Sequence, residues 1–457
     1  MREELDRRPL VAVFLGLVAG CAGAVVGWFA LFAVPLVLFV KRWPVRLACV
    51  LACGLGLLIY PRLDEAPVVE EAFLETEVDV LTMPVTTAES MRTVVGHGDE
   101  RYVLYLDADS GVVLGDRLKV RADIKPLSEG QIAHRGAIGT MRAISEPAVV
   151  DRGSFVWRVG MALRRSFQRM TDGFADPAAG PLLDGMCFSM TSDIPLDLRR
   201  AMAKTGTSHI VSTSGLHIVL VAFALAGLLG TMPVPRPAQI TVLFALLAVY
   251  AAAAGFQPPV MRAILMTLVL VSAYLFRRGP DGLSALAFAG IVSLLWAPEL
   301  VRDIGFQLSM VAVGSLVLFS RLPEATPLDS HAGLREWALQ YTQASVVVTV
   351  ATAPLLAYHF GMVPLMSVPA NLLVVPVLGI VISGALAAWG LWAIVPAVGV
   401  GMLKLCVEPM TGWVGLVIER LGSLPFAALD APEFSAYWLV PTYLLALLLW
   451  RPHVRPA

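Results

Sequence analysis

Between residues 208 and 450 the chain is a train of apolar stretches, near 208–230, 238–256, 258–276, 283–299, 304–320, 340–360, 366–398, 402–420 and 436–450, parted by short polar breaks. About 20 apolar residues match the thickness of a bilayer, and a backbone crossing lipid must satisfy its own hydrogen bonds, which leaves helices or a closed barrel. Runs of this length without alternation point to helices. Composition agrees: 57% of residues are hydrophobic, 15% are charged and mean hydropathy is +0.74, whereas a soluble domain carries about a quarter charged residues. The net charge of −1 says little, because its sign varies by region.

Ahead of this train, Arg2, Arg7 and Arg8 precede an apolar run that reaches Val40 without a polar cleavage region. That pattern reads as an anchor and not as a signal peptide. Lys41, Arg42 and Arg46 follow the run, and basic residues favour the cytoplasmic side of a membrane. A tight hairpin of two short helices, turning near Gly20 to Gly27, would keep both basic groups inside, and residues 47–60 would make a third pass. The same rule puts Arg277-Arg278 inside. The expectation is a polytopic α-helical protein of the inner (plasma) membrane with about twelve passes and both termini cytoplasmic. Cys21, Cys49, Cys53, Cys187 and Cys406 lie almost entirely in apolar segments without CxxC spacing. They read as packing residues.

Residues 62–150 differ in kind, with many charges and alternating segments such as Arg101 to Leu106 and Arg117 to Ala122, parted by Asp109-Ser110-Gly111 and Gly115-Asp116. These are strand and turn signals, and about ninety such residues make a small extracytoplasmic β-domain for which an OB-like barrel fits the size. The block holds nine Lys/Arg against sixteen Asp/Glu, the wrong overall sign for attracting a polyanion. Tyr102 and Tyr105 are its clearest stacking platforms. Residues 153–170 pattern as an interfacial helix, with Val159, Leu163, Phe167 and Met170 on one side and Arg158, Arg165 and Arg169 on the other. Four regions result: membrane helices over 1–61, the β-domain over 62–150, an interfacial and lead-in segment over 151–204, and a polytopic domain over 205–457.

The polytopic domain opens with Gly206-Thr207-Ser208-His209-Ile210-Val211-Ser212-Thr213-Ser214-Gly215-Leu216-His217, whose polar residues read as part of the apolar helix that the motif opens. Polar groups in a membrane lack water as a partner and mark either a helix contact or a substrate path. Ser214, Gly215 and His217 fall close together on a helix, where Gly215 admits a neighbouring backbone. Three readings stay open: a packing notch, a polar lining, or a Ser-His dyad, which would also need a positioned base and an oxyanion site. Further polar residues in apolar surroundings are Arg262, Gln307, His359 and Asn371. The prolines at 369 and 376 around Asn371 predict a broken helix whose freed backbone lines a cavity. No GxxxxGK[ST] occurs, and the seven histidines form no close metal pair, so neither a resident motor nor a cofactor is expected.

The order of these features resembles the ComEC-type family of competence proteins. The resemblance is carried by Thr205-Gly206-Thr207-Ser208-His209 with Ser214-Gly215-Leu216-His217, by Val260-Met261-Arg262-Ala263, by Asp303 through Ser309, and by Pro354 through Phe360-Gly361 to Asn371 and Pro376. It implies a channel that imports single-stranded DNA during natural transformation, not an enzyme. His209, Ser214, Gly215, His217, Arg262, Gln307 and Asn371 would line the path. Arg199, Arg200 and Lys204, just before the motif, would form a basic entrance. The implied partners are single-stranded DNA, the bilayer, a DNA receptor, a cytoplasmic motor and a separate nuclease. Many members carry a C-terminal metallo-β-lactamase-like domain, and the expectation for these 457 residues is no such activity. Where the family has a Gly-Asp pair upstream of the motif, this chain reads Phe188 to Asp193. The alternatives are a secondary transporter for a smaller anionic solute and an intramembrane Ser/His hydrolase.

Overall fold

The computed structural model describes residues 8–25, 42–59 and 72–431, apart from 83, 87–89, 99, 108–109, 127–136, 192, 212–214, 276–278, 280 and 321–332, together with 443. Helix α1 (Pro9–Val25) packs beside α2 (Trp43–Ile59) in parallel. A Cβ on Gly16 would lie 2.5 Å from the Cys49 carbonyl oxygen, and one on Gly20 would overlap the Cys53 carbonyl oxygen. Glycines four residues apart thus let two backbones meet without side chains between them. Within the expected turn region near Gly20 to Gly27, α1 continues through Gly20 to Val25, and the absent side chain of Gly20 serves close packing. The apolar segment after Val25 lies outside the described residues.

Strands β1 (Ala72–Val80), β2 (Val85–Thr86), β3 (Ser90–His97), β4 (Glu100–Asp107), β5 (Arg117–Pro126), β6 (Gly139–Ala143) and β7 (Ala148–Asp151) build the polar region. Five of them close a ring in the order β1-β3-β4-β6-β5 and back to β1, with β4 and β6 parallel and the other pairs antiparallel. Alternation decides the inside of this barrel: Met91, Val95, Tyr102, Leu104, Leu106, Leu118, Val120, Ala122 and Met141 form its core. On the outside, the basic residues of β5 meet the acids of β1, with Arg117 2.8 Å from Asp79, Lys119 3.2 Å from Glu75 and Arg121 2.8 Å from Glu75.

Helix α3 (Phe155–Thr171) follows, then α4 (Ala179–Phe188) and α5 (Leu196–Lys204). The apolar side of α3 faces protein: Phe167 stacks edge-on against Phe188 and Trp389, and Trp157 meets Phe256. Arg158, Arg165 and Arg169 stay exposed. The apolar train then folds as α6 (Gly215–Gly230), α7 (Arg236–Ala253), α8 (Pro258–Leu275), α9 (Gly282–Trp296), α10 (Ile304–Phe319), α11 (Leu334–Phe360), strand β8 (Met362–Pro364), α12 (Ser367–Ile394), α13 (Pro396–Met402), a π-helical segment Leu403–Val407, α14 (Glu408–Gly422) and strand β9 (Ala428–Asp430). Among the described residues four helical runs, Arg236–Ala253, Arg335–Phe360, Ser367–Ile394 and Pro396–Gly422, are long and apolar enough to cross a membrane.

The broken helix expected around Asn371 is not found: α12 is continuous through both prolines. Pro369 lies in its first turn, where no intrahelical donor is required, and Pro376 removes a single hydrogen bond in a helix held on several sides.

Two ion pairs mark opposite ends of α9. Before its first residue, Asp281 caps the helix through Ser284 N and pairs with Arg8 at 2.9 Å. Beyond its last residue, Glu299 in the 3₁₀ turn Pro298–Arg302 pairs with Arg101 of the barrel at 2.6 Å. Arg8 and the barrel therefore lie at opposite ends of one apolar helix. Of single cysteines in a cysteine-free background, one at Ser110 should react with a membrane-impermeant reagent from the barrel side of intact cells, while one at Gly279 should not; the reverse labelling would invert this arrangement.

Candidate polar path in the helical domain

The motif begins as the end of α5. Gly206, at φ +68°, sits just past the helix, with its N–H donating to Ala203 O (3.2 Å) and the Thr207 N–H reaching back to Met202 O (2.9 Å). This double closure satisfies the last carbonyls and favours glycine at the left-handed position. The fold adds a second demand, because a Cβ on Gly206 would lie 2.9 Å from Pro364 Cγ and 3.0 Å from Ser367 Cβ. Thr205 and Thr207 are fully buried with their hydroxyls 2.8 Å apart, and Thr205 Oγ1 also donates to Ala201 O (2.8 Å).

His209 is separated from the following helix, correcting the expectation that the whole motif is helical. It lies in the 3₁₀ turn Ser208–Ile210, is exposed, and has Nδ1 3.0 Å from Gly206 O. Ser214 lies outside the described residues. Gly215 is the first residue of α6, and His217, in its first turn, is fully buried. Arg199, Arg200 and Lys204 are exposed along α5, where Arg200 comes within 3.6 Å of Asp197.

Arg262 and Gln307 belong to one cluster, which also takes in His359. Asp303 caps α10 by accepting from Phe306 N (2.7 Å). The Arg262 guanidinium, 2% exposed, donates from Nη2 to Gly305 O (3.1 Å) and from Nε to Ser309 Oγ (3.3 Å), and lies 5.1 Å from the Phe306 ring centre. Its Nη1 has no partner among the described residues. The start of α10 supplies the partners, with Asp303, Gly305, Phe306, Gln307 and Ser309 each making one of these contacts. Gln307 Nε2 donates to Val301 O (2.8 Å), so Oε1 is left to accept, and His359 Nε2 donates to it at 2.8 Å.

Asn371 joins a second cluster. Its Nδ2 donates to Ser345 Oγ (3.2 Å), and one turn away the hydroxyls of Ser367 and Thr349 are 2.9 Å apart. Ser367 is also the residue on which Gly206 rests, so the motif turn and this cluster adjoin. The Asn371 Oδ1 has no partner among the described residues.

Helix α11 connects the clusters. Ser345, Thr352 and His359 recur every seven residues, and Thr349 follows Ser345 by four, so the four side chains form one stripe along the helix. Thr352 turns its hydroxyl to Val348 O (2.8 Å). The sequence carried this signal as polar spacing inside an apolar run, and reading each polar residue singly missed it. Among the described residues no group of His, Cys, Asp and Glu could hold a metal ion.

One acid that sequence reading passed over lies upstream. Asp184 of α4 is 7% exposed and accepts from Thr171 Oγ1 at 2.9 Å. Burial, only partly offset by the Thr171 hydrogen bond, pushes its carboxyl up from 3.8 to about 7. A carboxyl raised on folding contributes stability that is complete below its unfolded value and is lost as pH rises through its folded one. The thermal midpoint of the detergent-purified chain should therefore fall between pH 4 and pH 8, and Asp184→Asn should flatten that fall; parallel curves would show that Asp184 is not its source.

Comparison with known proteins places the chain among competence proteins. The family described as Competence protein matches residues 186–456. The chain is 24% identical over 317 residues to ComE operon protein 3 of Bacillus subtilis (strain 168), covering 68% of this chain and 38% of that one. It is 26% identical over 347 residues to Competence protein ComA of Neisseria gonorrhoeae, covering 70% and 46% respectively. An uncharacterized protein of Aquifex aeolicus (strain VF5) is 30% identical over 187 residues, or 41% of this chain and 40% of that protein. The matched regions thus span less than half the length of these relatives. No solved structure matches the chain.

Proposed function

The chain belongs to the Competence protein family, and on that premise we propose that its helical domain conducts single-stranded DNA across the inner (plasma) membrane during natural transformation. The observation that carries this reading is the polar stripe of α11, Ser345, Thr349, Thr352 and His359, joined at one end to Arg262 and Gln307 and further along to Asn371. A row of hydroxyl, amide and imidazole groups along an apolar helix offers a moving phosphate chain replacements for part of its lost hydration. His209, Ser214, Gly215 and His217 would form the mouth of the path, beside the exposed Arg199, Arg200 and Lys204 that neutralise phosphates.

The finer architecture belongs to the same proposal. A five-stranded ring with one parallel closure supports the OB-like reading of the barrel. The opposed ion pairs of α9 support a barrel outside and Arg8 inside, within about twelve passes. In this reading the chain is not an enzyme and works with a DNA receptor, a cytoplasmic motor and a separate strand-degrading nuclease. The names of two relatives, a ComE operon protein and a competence protein, point the same way.

Two variants test the proposal in cells that take up labelled DNA through this chain. Replacing Arg199, Arg200 and Lys204 together by Gln should lower uptake by about tenfold or more while membrane insertion is kept, because three phosphate partners are lost; wild-type uptake would remove the basic entrance. Ser214→Ala keeps a small residue at the mouth and should leave most uptake in place. Its complete loss, together with labelling of Ser214 by a serine-reactive probe, would favour the hydrolase. Uptake of a small anion in place of DNA would favour the transporter.

A further inference from the structure

Helix α3 carries the chain from the barrel to the helical domain, and its backbone lies against the last turn of α7. A Cβ on Gly160 would stand 2.7 Å from Ala253 N and 2.8 Å from the Ala252 carbonyl carbon. Three residues earlier, Trp157 meets Phe256, just past the end of α7, and also covers Gly115 of the barrel, where a Cβ would stand 3.0 Å from the indole. Because Arg236–Ala253 is long and apolar enough to cross a membrane, the end of α7 marks the level at which lipid phosphates lie. The middle of α3 is held at that level, with the barrel on one side and the helices on the other.

Just beyond Gly160 a cleft of about 160 Å³ opens between α3 and the barrel. Met91, Val112 and Val113 give it an apolar wall, while Arg164, Arg165 and Gln168 line the opposite side. With Met161 these helix residues stand at i, i+3, i+4 and i+7, so they share one face of α3. The lining holds two cations and no acid. Arg165 is exposed and forms no ion pair among the described residues. Arg164 is half-buried, and burial lowers its guanidinium from 12.5 to about 10, with Asp184 and Asp193 offsetting part of that fall. It therefore stays charged at neutral pH. Asp116, in the turn that carries Val113, is fully buried and has Arg152 3.7 Å away. Two guanidiniums and an amide facing an apolar wall suit an anion that brings carbon atoms with it.

We propose that this cleft binds a phosphate ester, supplied by the headgroup of an anionic phospholipid in the leaflet beside the barrel. Arg164 and Arg165 meet the phosphate oxygens, which the planar fork of a guanidinium matches. Gln168 offers its amide to the headgroup hydroxyls, and the wall of Met91, Val112 and Val113 takes the glycerol carbons. The cleft is smaller than the about 300–1,000 Å³ of sites for drug-sized ligands, which suits one headgroup. A lipid held there clamps the barrel to α3 at the bilayer surface. The inference needs α7 to cross the membrane and does not depend on DNA conduction.

The test uses the full chain, delipidated in detergent, with phosphatidylglycerol or phosphatidylcholine added and the lipids retained per chain counted by native mass spectrometry. Phosphatidylglycerol should be retained in preference to phosphatidylcholine; equal retention of the two would overturn the proposal. Arg165→Gln should weaken retention of phosphatidylglycerol by about tenfold, the lower end for a hydrogen bond to a charged group. Arg169→Gln, one turn further along α3 and outside the cleft, should leave it unchanged. Equal losses in the two variants would show a general attraction to the headgroup layer and sink the cleft. Val113→Trp fills the cleft without altering charge and should prevent retention although both arginines are present; full retention would place the lipid elsewhere. Two competitors separate the sources of phosphate. Glycerol 3-phosphate that binds the chain as tightly as the lipid would keep the phosphate site and overturn the lipid as its source. An oligothymidylate that displaces phosphatidylglycerol from the unaltered chain would assign the arginines to a nucleic-acid strand and overturn the lipid site.

Discussion

A polar group on a helix set among apolar chains has no water to turn to, and that constraint governs how Arg262, Gln307, Asn371 and their neighbours are held. Arg262 spreads its donors over Gly305 O and Ser309 Oγ and lies near the Phe306 ring. Gln307 spends its amide donor on Val301 O and its oxygen on His359. Asn371, Ser345, Thr349 and Ser367 pair across α11 and α12. These bonds are also what keeps α8, α10, α11 and α12 in register, so the polar path and the packing of the domain are one structure. Apolar substitution at a single member would leave its partner buried without a bond, a cost of about 1–3 kcal/mol.

Electrostatics divide the molecule by pairing and not by net charge. The barrel carries an excess of acids, yet Arg117, Lys119 and Arg121 of β5 pair with acids of β1, while Arg92 and Arg142 make no ion pair among the described residues. The exposed side of α3 and the length of α5 carry further arginines. Two ion pairs do a different task, tying the N-terminal segment and the barrel to the two ends of α9. Both pairs are part-buried, and they fix which end of the helix meets which neighbour.

Glycine shows how one residue type answers two unrelated demands. At Gly206 the backbone adopts a left-handed conformation and the space is also occupied by Pro364 and Ser367. At Gly16 and Gly20 the backbone is an ordinary helix, and only the close approach of α2 excludes a side chain. In sequence both look like turn residues, yet α1 runs through Gly20 as a helix.

What the sequence by itself determined was every property that depends on local pattern: the succession of apolar helices, the alternation of the barrel strands, the amphipathic α3, and the identity of the polar residues Arg262, Gln307, His359 and Asn371. Period and composition act over a few residues, so they are legible without neighbours. What the tertiary structure decided was who meets whom. It brought Arg262 of α8 to the start of α10 beside Gln307, brought His359 to Gln307, and placed Asn371 apart with Ser345. It kept α12 whole through two prolines, detached His209 from the helix that follows, and aligned Arg92, Tyr105 and Arg142 across three strands. Those outcomes depend on strand register and helix contacts between residues far apart in the chain, where the reference for each polar atom is the partner that packing supplies.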